Sequence, residues 1–154
     1  MRKTVLGLVI AASALLPSPA LAEPSDPAAG QVRQPTARPS AESEYDRGVR
    51  ARLSKDWRAA AEAQRSAVTL RPAFPEAWNE LGFALRNQGR YTESLQAYDE
   101  ALRLRPNFPE ALEYLGEAYV KLGRLDDARR VLDRLRPLDR ARAQELAEVI
   151  EKGK

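Results

Sequence analysis

Apolar side chains along most of this chain fall into short stripes spaced by three and four residues. Between 75 and 104 the set Trp78, Leu81, Gly82 and Leu85 is followed by Leu95, Tyr98, Ala101 and Leu102, with a break at Gln88-Gly89-Arg90. Such spacing places each set on one face of an α-helix, and the break predicts two helices joined by a tight turn. Gly89 suits the left-handed residue that closes a first helix. Pro106 and Pro109 stand where one helix ends and the next begins. Glu76 and Glu110 fall in first turns and Arg103 and Arg105 near a helix end, the signs that the helix dipole favours.

This pattern repeats. Leu70-Arg71-Pro72-Ala73-Phe74-Pro75-Glu76-Ala77 and Leu104-Arg105-Pro106-Asn107-Phe108-Pro109-Glu110-Ala111 agree at seven of eight positions, 34 residues apart. The same offset relates Gly48, Gly82 and Gly116, pairs Gly89 with Gly123, and pairs Ala67 with Ala101. It divides the chain into units at 41–74, 75–108 and 109–142. A 34-residue period with helical patterning is the signature of stacked helix–turn–helix repeats. Gly82 and Ala101 are the small residues that would let paired helices approach closely.

These residues resemble the tetratricopeptide repeat family. Trp78, Leu81, Gly82, Gly89, Tyr91, Tyr98, Ala101 and Pro106 carry the likeness in the middle unit, and Leu112, Leu115, Gly116, Tyr119, Gly123, Ala128 and Leu132 carry it in the third. The resemblance implies an all-α fold, a right-handed superhelical stack of three helix pairs. The third unit departs from the pattern at Pro137, so its last helix is expected to stop near Arg136. A charged capping helix at 138–152 follows, with Leu138, Ala141, Leu146, Val149 and Ile150 as its apolar side. The first unit departs at Arg47, Lys55 and Trp57, where the middle unit has Leu81, Gly89 and Tyr91. It reads as an N-terminal cap, or as a marginal unit completed by a partner.

The resemblance also implies recognition of a protein or peptide on a concave face lined by the first helix of each pair. Mapped outward from the apolar stripe, the candidate binding residues are Tyr45, Val49 and Arg52 in the first unit and Asn79, Phe83, Arg86 and Asn87 in the middle one. The third supplies Glu113, Glu117, Val120 and Lys121. Phe83 is the leading anchor, one helical turn from Arg86, because desolvated aromatic and Arg side chains dominate interface energetics. The alternative is that Phe83 packs against a neighbouring repeat. A clamp of Lys, Asn and Arg for a terminal carboxylate, known in the family, is not evident. Glu76, Glu80, Glu110, Glu113 and Glu117 dominate that face, with Arg52, Arg86 and Lys121 as isolated counterweights, which favours a mixed or basic ligand segment.

Composition narrows the classes of function. Without Cys or His the chain has no thiol or imidazole, hence no zinc finger, His-based triad, Cys nucleophile or disulfide framework. Asp126-Asp127 and the Glu113/Glu117 pair are better read as a helix start and a solvated face than as a metal or catalytic centre. No enzyme activity and no cofactor are expected. Residues 1–22 have the form of a secretory signal: Arg2 and Lys3, an uncharged run Val5–Leu16, and Ala20-Leu21-Ala22 before Glu23. Cleavage there is expected, with retention as an anchor the alternative. Losing Arg2 and Lys3 would take the formal charge from +3 to +1, so no nucleic-acid partner and no stable membrane insertion are expected. Residues 23–40, with Pro24, Pro27, Pro35 and Pro39, read as a disordered tether. The expectation is therefore a periplasmic adaptor for an envelope protein. The alternative is a homo-oligomeric structural protein that self-associates through its terminal or convex faces.

Overall fold

The computed structural model describes residues 38–153. The signal segment at 1–22 and the tether up to residue 37 lie outside the described residues. Within them the chain forms seven helices: α1 (Ala41–Leu53), α2 (Trp57–Leu70), α3 (Pro75–Asn87), α4 (Tyr91–Leu104), α5 (Pro109–Lys121), α6 (Leu125–Leu135) and α7 (Arg140–Lys152). Local chemistry sets the starts. Ser40 and Ser43 cap α1 reciprocally, Asp56 accepts from Ala59 N at 3.0 Å to cap α2, and Asp139 accepts from Arg142 N at 3.1 Å to cap α7. Proline at the first position opens α3 and α5, where a missing N–H costs nothing. Gly89 (φ 75°) and Gly123 (φ 69°) turn the chain between paired helices, and at the first such turn Lys55 takes the same conformation (φ 57°).

The helices form two rows. Among the described residues α1 touches α3, α3 touches α5 and α5 touches α7, whereas α2, α4 and α6 touch only members of that inner row. Inner helices close together and outer helices splayed apart curve the stack, with the inner row on the concave side. The contact that draws a pair together is visible at Gly82, where an added Cβ would lie 2.6 Å from the Tyr98 ring, and Tyr98 is fully buried. Gly48 meets Gln64 of α2 in the same way, while Gly116 meets Leu146 of α7. Trp78 lies between the two apolar clusters of the core and packs on both.

Both ends are finished with polar or small residues. The first unit has the ion-paired Glu44 and Arg47 where the middle unit has Trp78 and Leu81, so its outward face carries charge instead of core residues. At the other end α7 buries Ala143, Leu146 and Ile150 against α5 and α6. Two residues expected on that apolar side are placed otherwise: Leu138 lies in the turn before α7, 38% exposed, and Ala141 in its first turn is exposed. The buried stripe of α7 begins only after its Asp139 cap.

Candidate functional site

The inner row presents α1, α3 and α5 side by side, and an aromatic cluster sits at its centre. The half-buried Phe83 ring lies 4.9 Å from Tyr114 on α5 and 5.8 Å, edge-on, from Trp57 on α2. The guanidinium carbons of Arg52 and Arg86 lie 5.6 and 5.3 Å from its centroid, and Arg86 is 5.1 Å from Tyr114. Phe83 is therefore no free exposed aromatic. It ties the first repeat to the third, with one face of the cluster still reached by solvent.

Charge on this row is largely spent internally. Arg52 Nε lies 3.1 Å from Glu80, Arg86 pairs with Glu117, and Arg142 of α7 pairs with Glu113. Each strut joins neighbouring inner helices, so Arg52 and Arg86 are not isolated counterweights. Burial pushes the pKa of Glu80 up although Arg52 opposes the shift, and burial does the same to Glu113 against Arg142. Glu76, although burial pushes its pKa up, ends below the usual carboxylate range because Arg105 hydrogen-bonds it. Glu110 has no ion pair among the described residues and adds negative potential near Glu80, Tyr45 and Tyr114.

The remaining candidates divide by exposure. Asn87 and Lys121 are exposed at the C-terminal ends of α3 and α5, with Asn87 Nδ2 donating to Phe83 O at 2.8 Å. Tyr45 is half-buried, its ring 5.0 Å from Phe74. Val49 and Val120 are half-buried, and Val120 lies beside Gly153 at the end of α7. Two expectations are corrected: Asn79 is 2% and Glu113 4% exposed, so neither side chain offers itself to solvent. Both stand where the first repeat has Tyr45, a position turned toward the start of the following unit. Glu117 is half-buried in its pair with Arg86.

Sequence reasoning missed Trp57, Tyr114 and Arg142 as members of this surface. Tyr114 stands 34 residues after Glu80, so the repeat itself carried the signal. Arg142 was masked by the shift at Pro137. Glu42–Arg71 and Glu76–Arg105 are ion pairs 29 residues apart, and the third link at that separation is Glu113–Arg142, one turn further along α5.

Comparison with known proteins gives the same architecture. Residues 84–123 match the family model described as TPR repeat, and no curated protein matches the sequence. Among solved structures, the TPR2B domain of yeast Sti1 in its complex with an Hsp70 peptide is 21% identical with a TM-score of 0.69, covering 73% of this chain and 94% of that one. The Arabidopsis OM64 TPR domain is 18% identical, with a TM-score of 0.70 and coverage of 74% and 96%. PcrH bound to the chaperone binding region of PopD is 22% identical, with a TM-score of 0.67 and coverage of 73% and 89%. These likenesses, with the seven helices described, establish the fold as an all-α superhelical stack of tetratricopeptide-repeat type.

Proposed function

We propose that this chain is a binding adaptor of the bacterial envelope that holds a segment of a partner protein on its concave face. The observation that carries this reading is the half-exposed Phe83–Tyr114 pair beneath Arg52 and Arg86, at the centre of the inner row. Such a cluster is pre-organised, because its rings and guanidiniums are fixed by neighbouring repeats before a ligand arrives. The reading draws support from structural neighbours solved with bound segments, an Hsp70 peptide on yeast Sti1 and a PopD region on PcrH. Secretion rests on the signal-like residues 1–22, and no catalytic role is assigned.

With Arg52 and Arg86 held in struts, the exposed Lys121 and Asn87 are polar groups at the C-terminal ends of α5 and α3, while Glu110 lies at the N-terminal end of α5. A partner segment that crosses the aromatic cluster would meet cationic and amide groups at one side and a carboxylate at the other. The test is photo-cross-linking in cells from Lys121 and Asn87, with Arg129 on the outer helix α6 as the control position. One protein captured from both inner positions, absent from the control, and lost from a still-helical Phe83→Ala/Arg86→Glu variant is the expected result. Capture from Arg129 alone would move binding to the outer face.

A further inference from the structure

Two departures from the repeat pattern complement each other. The first is a cleft of about 510 Å³ between the outer helices α2 and α4, floored by Val68, Trp78, Leu81 and Leu85. Its α4 wall carries Glu93 and Glu100, with Arg65 on the α2 side. At the equivalent junction between α4 and α6 three of the lining residues are larger, although Leu112 stands there in place of Trp78. Ala97 becomes Val131, Leu85 becomes Tyr119, and Glu100 becomes Arg134, whose guanidinium reaches across to Pro106 O at 3.4 Å. The repeat therefore does not require the first junction to be open. Small and acidic residues at 97 and 100 leave it so. Glu93 and Glu100 are bridged only to Arg90, which precedes α4, and to Arg103 within it, all four side chains at least 40% exposed. Such pairs are worth little and yield readily to a better partner.

The second departure is Leu53, in the last turn of α1, which is 72% exposed. Its equivalents are the polar Asn87 and Lys121, so the repeat does not require an apolar residue here either. Arg50, one turn back on the same face, and Lys55, in the following turn, are exposed and form no ion pair among the described residues. Leu53 is thus an apolar knob between two free cations. The cleft is an apolar hole whose walls carry two carboxylates against one arginine. Its volume accommodates a leucine together with the aliphatic stems of flanking Arg and Lys side chains.

We infer that the occupant of the α2/α4 cleft is Leu53 of a second copy of this chain, with Arg50 and Lys55 set against Glu93 and Glu100. The two surfaces are different patches of one molecule, so the contact is heterologous. Leu53 holds on α1 the place that Asn87 and Lys121 hold on α3 and α5, so the contact uses the C-terminal end of the inner row and not the Phe83 and Tyr114 rings themselves.

Sedimentation velocity of the full-length protein over a wide concentration range tests this, using substitutions that other repeats of the chain already carry. Leu53→Asn copies the residue at 87, and Ala97→Val/Glu100→Arg copies those at 131 and 134. The wild type should gain mass with concentration. Each variant should associate at least about tenfold more weakly, the scale set by losing one buried leucine from an interface. A mixture of the two variants should form a heterodimer, because one retains the knob and the other the open cleft. A wild type that stays monomeric throughout, association that survives both variants, or a mixture that remains two monomers would each overturn the proposal. Circular dichroism melts of both variants confirm that loss of mass is not loss of fold.

Discussion

In the middle repeat Gly82 lies against the ring of Tyr98, and Trp78, Leu81 and Leu85 form a continuous apolar stripe. In the first repeat Gly48 lies against the flexible Gln64, and the corresponding residues are Glu44, Arg47 and Ala51. The helices are of the same length and in the same order, yet the middle one is held by packing on both sides. The first is packed on one side and hydrated on the other. What differs is the preceding neighbour: α3 packs on α2 of the repeat before it as well as on its own partner α4, whereas the outward face of α1 has no preceding repeat among the described residues and carries an ion pair there. The comparison shows that a repeat position specifies a place in the array, and the residue found there reports whether that place is covered.

The sharpest way to break the comparison is to truncate the stripe in both repeats. Leu81→Ala, at a side chain only 4% exposed, should cost about 2–5 kcal/mol through lost transfer energy and a residual cavity. Arg47→Ala, at the equivalent but hydrated position, should change stability by no more than about 0.5 kcal/mol. Urea unfolding followed by circular dichroism measures both, and equal losses would mean that the outward face of α1 is covered in solution.

A smaller contrast is expected at the glycines. Gly82→Ala drives a methyl group into a fully buried ring that has nowhere to turn, and overpacking of this kind costs about 1–3 kcal/mol. At Gly48 the obstacle is Gln64, buried as well but a chain of rotatable bonds instead of a rigid ring, which can yield at the cost of its hydrogen bond to Tyr45 O at 3.1 Å. Gly48→Ala should therefore cost less, the more so because alanine favours the helix that glycine weakens. If thermal melts put the two alanine variants in the opposite order, the role of Tyr98 as the rigid partner of Gly82 would be wrong.

Much of this was legible in the sequence, because the 34-residue period places chemically equivalent side chains in equivalent surroundings. The close approach at Gly82, the turns at Gly89 and Gly123 and the end of α6 before Pro137 all follow from local rules. The concave surface was less legible. Asn79 and Glu113 look solvent-facing on an isolated helix and are buried in the folded stack, Glu113 in its pair with Arg142 of α7. Arg52 and Arg86 look unpaired for the same reason, since Glu80 and Glu117 stand on different helices at separations that no single-helix rule supplies. Leu138 shows the reverse error: an apolar residue assigned to a helix face lies instead in the turn that the Asp139 cap forces.

The smallest effect concerns the turn that closes each first helix. Gly89 and Gly123 adopt positive φ without a side chain to clash, while Lys55 adopts the same conformation at φ 57° with one. A left-handed conformation costs a residue with a Cβ roughly 1–2 kcal/mol, and glycine removes that strain. Glycine also gives the unfolded chain more freedom, which returns roughly 0.4–1 kcal/mol. Lys55 is exposed and has no ion pair among the described residues, so no folded-state contact is lost with its side chain. Lys55→Gly should thus stabilise the protein by about 0.5–1 kcal/mol at low protein concentration, seen as a higher urea midpoint with an unchanged slope. The reverse change, Gly89→Lys, should destabilise by a similar amount. A lower midpoint for Lys55→Gly would mean that the strained lysine is held by a contact within the folded chain, and the first repeat would then be less independent of its neighbours than its hydrated outer face implies.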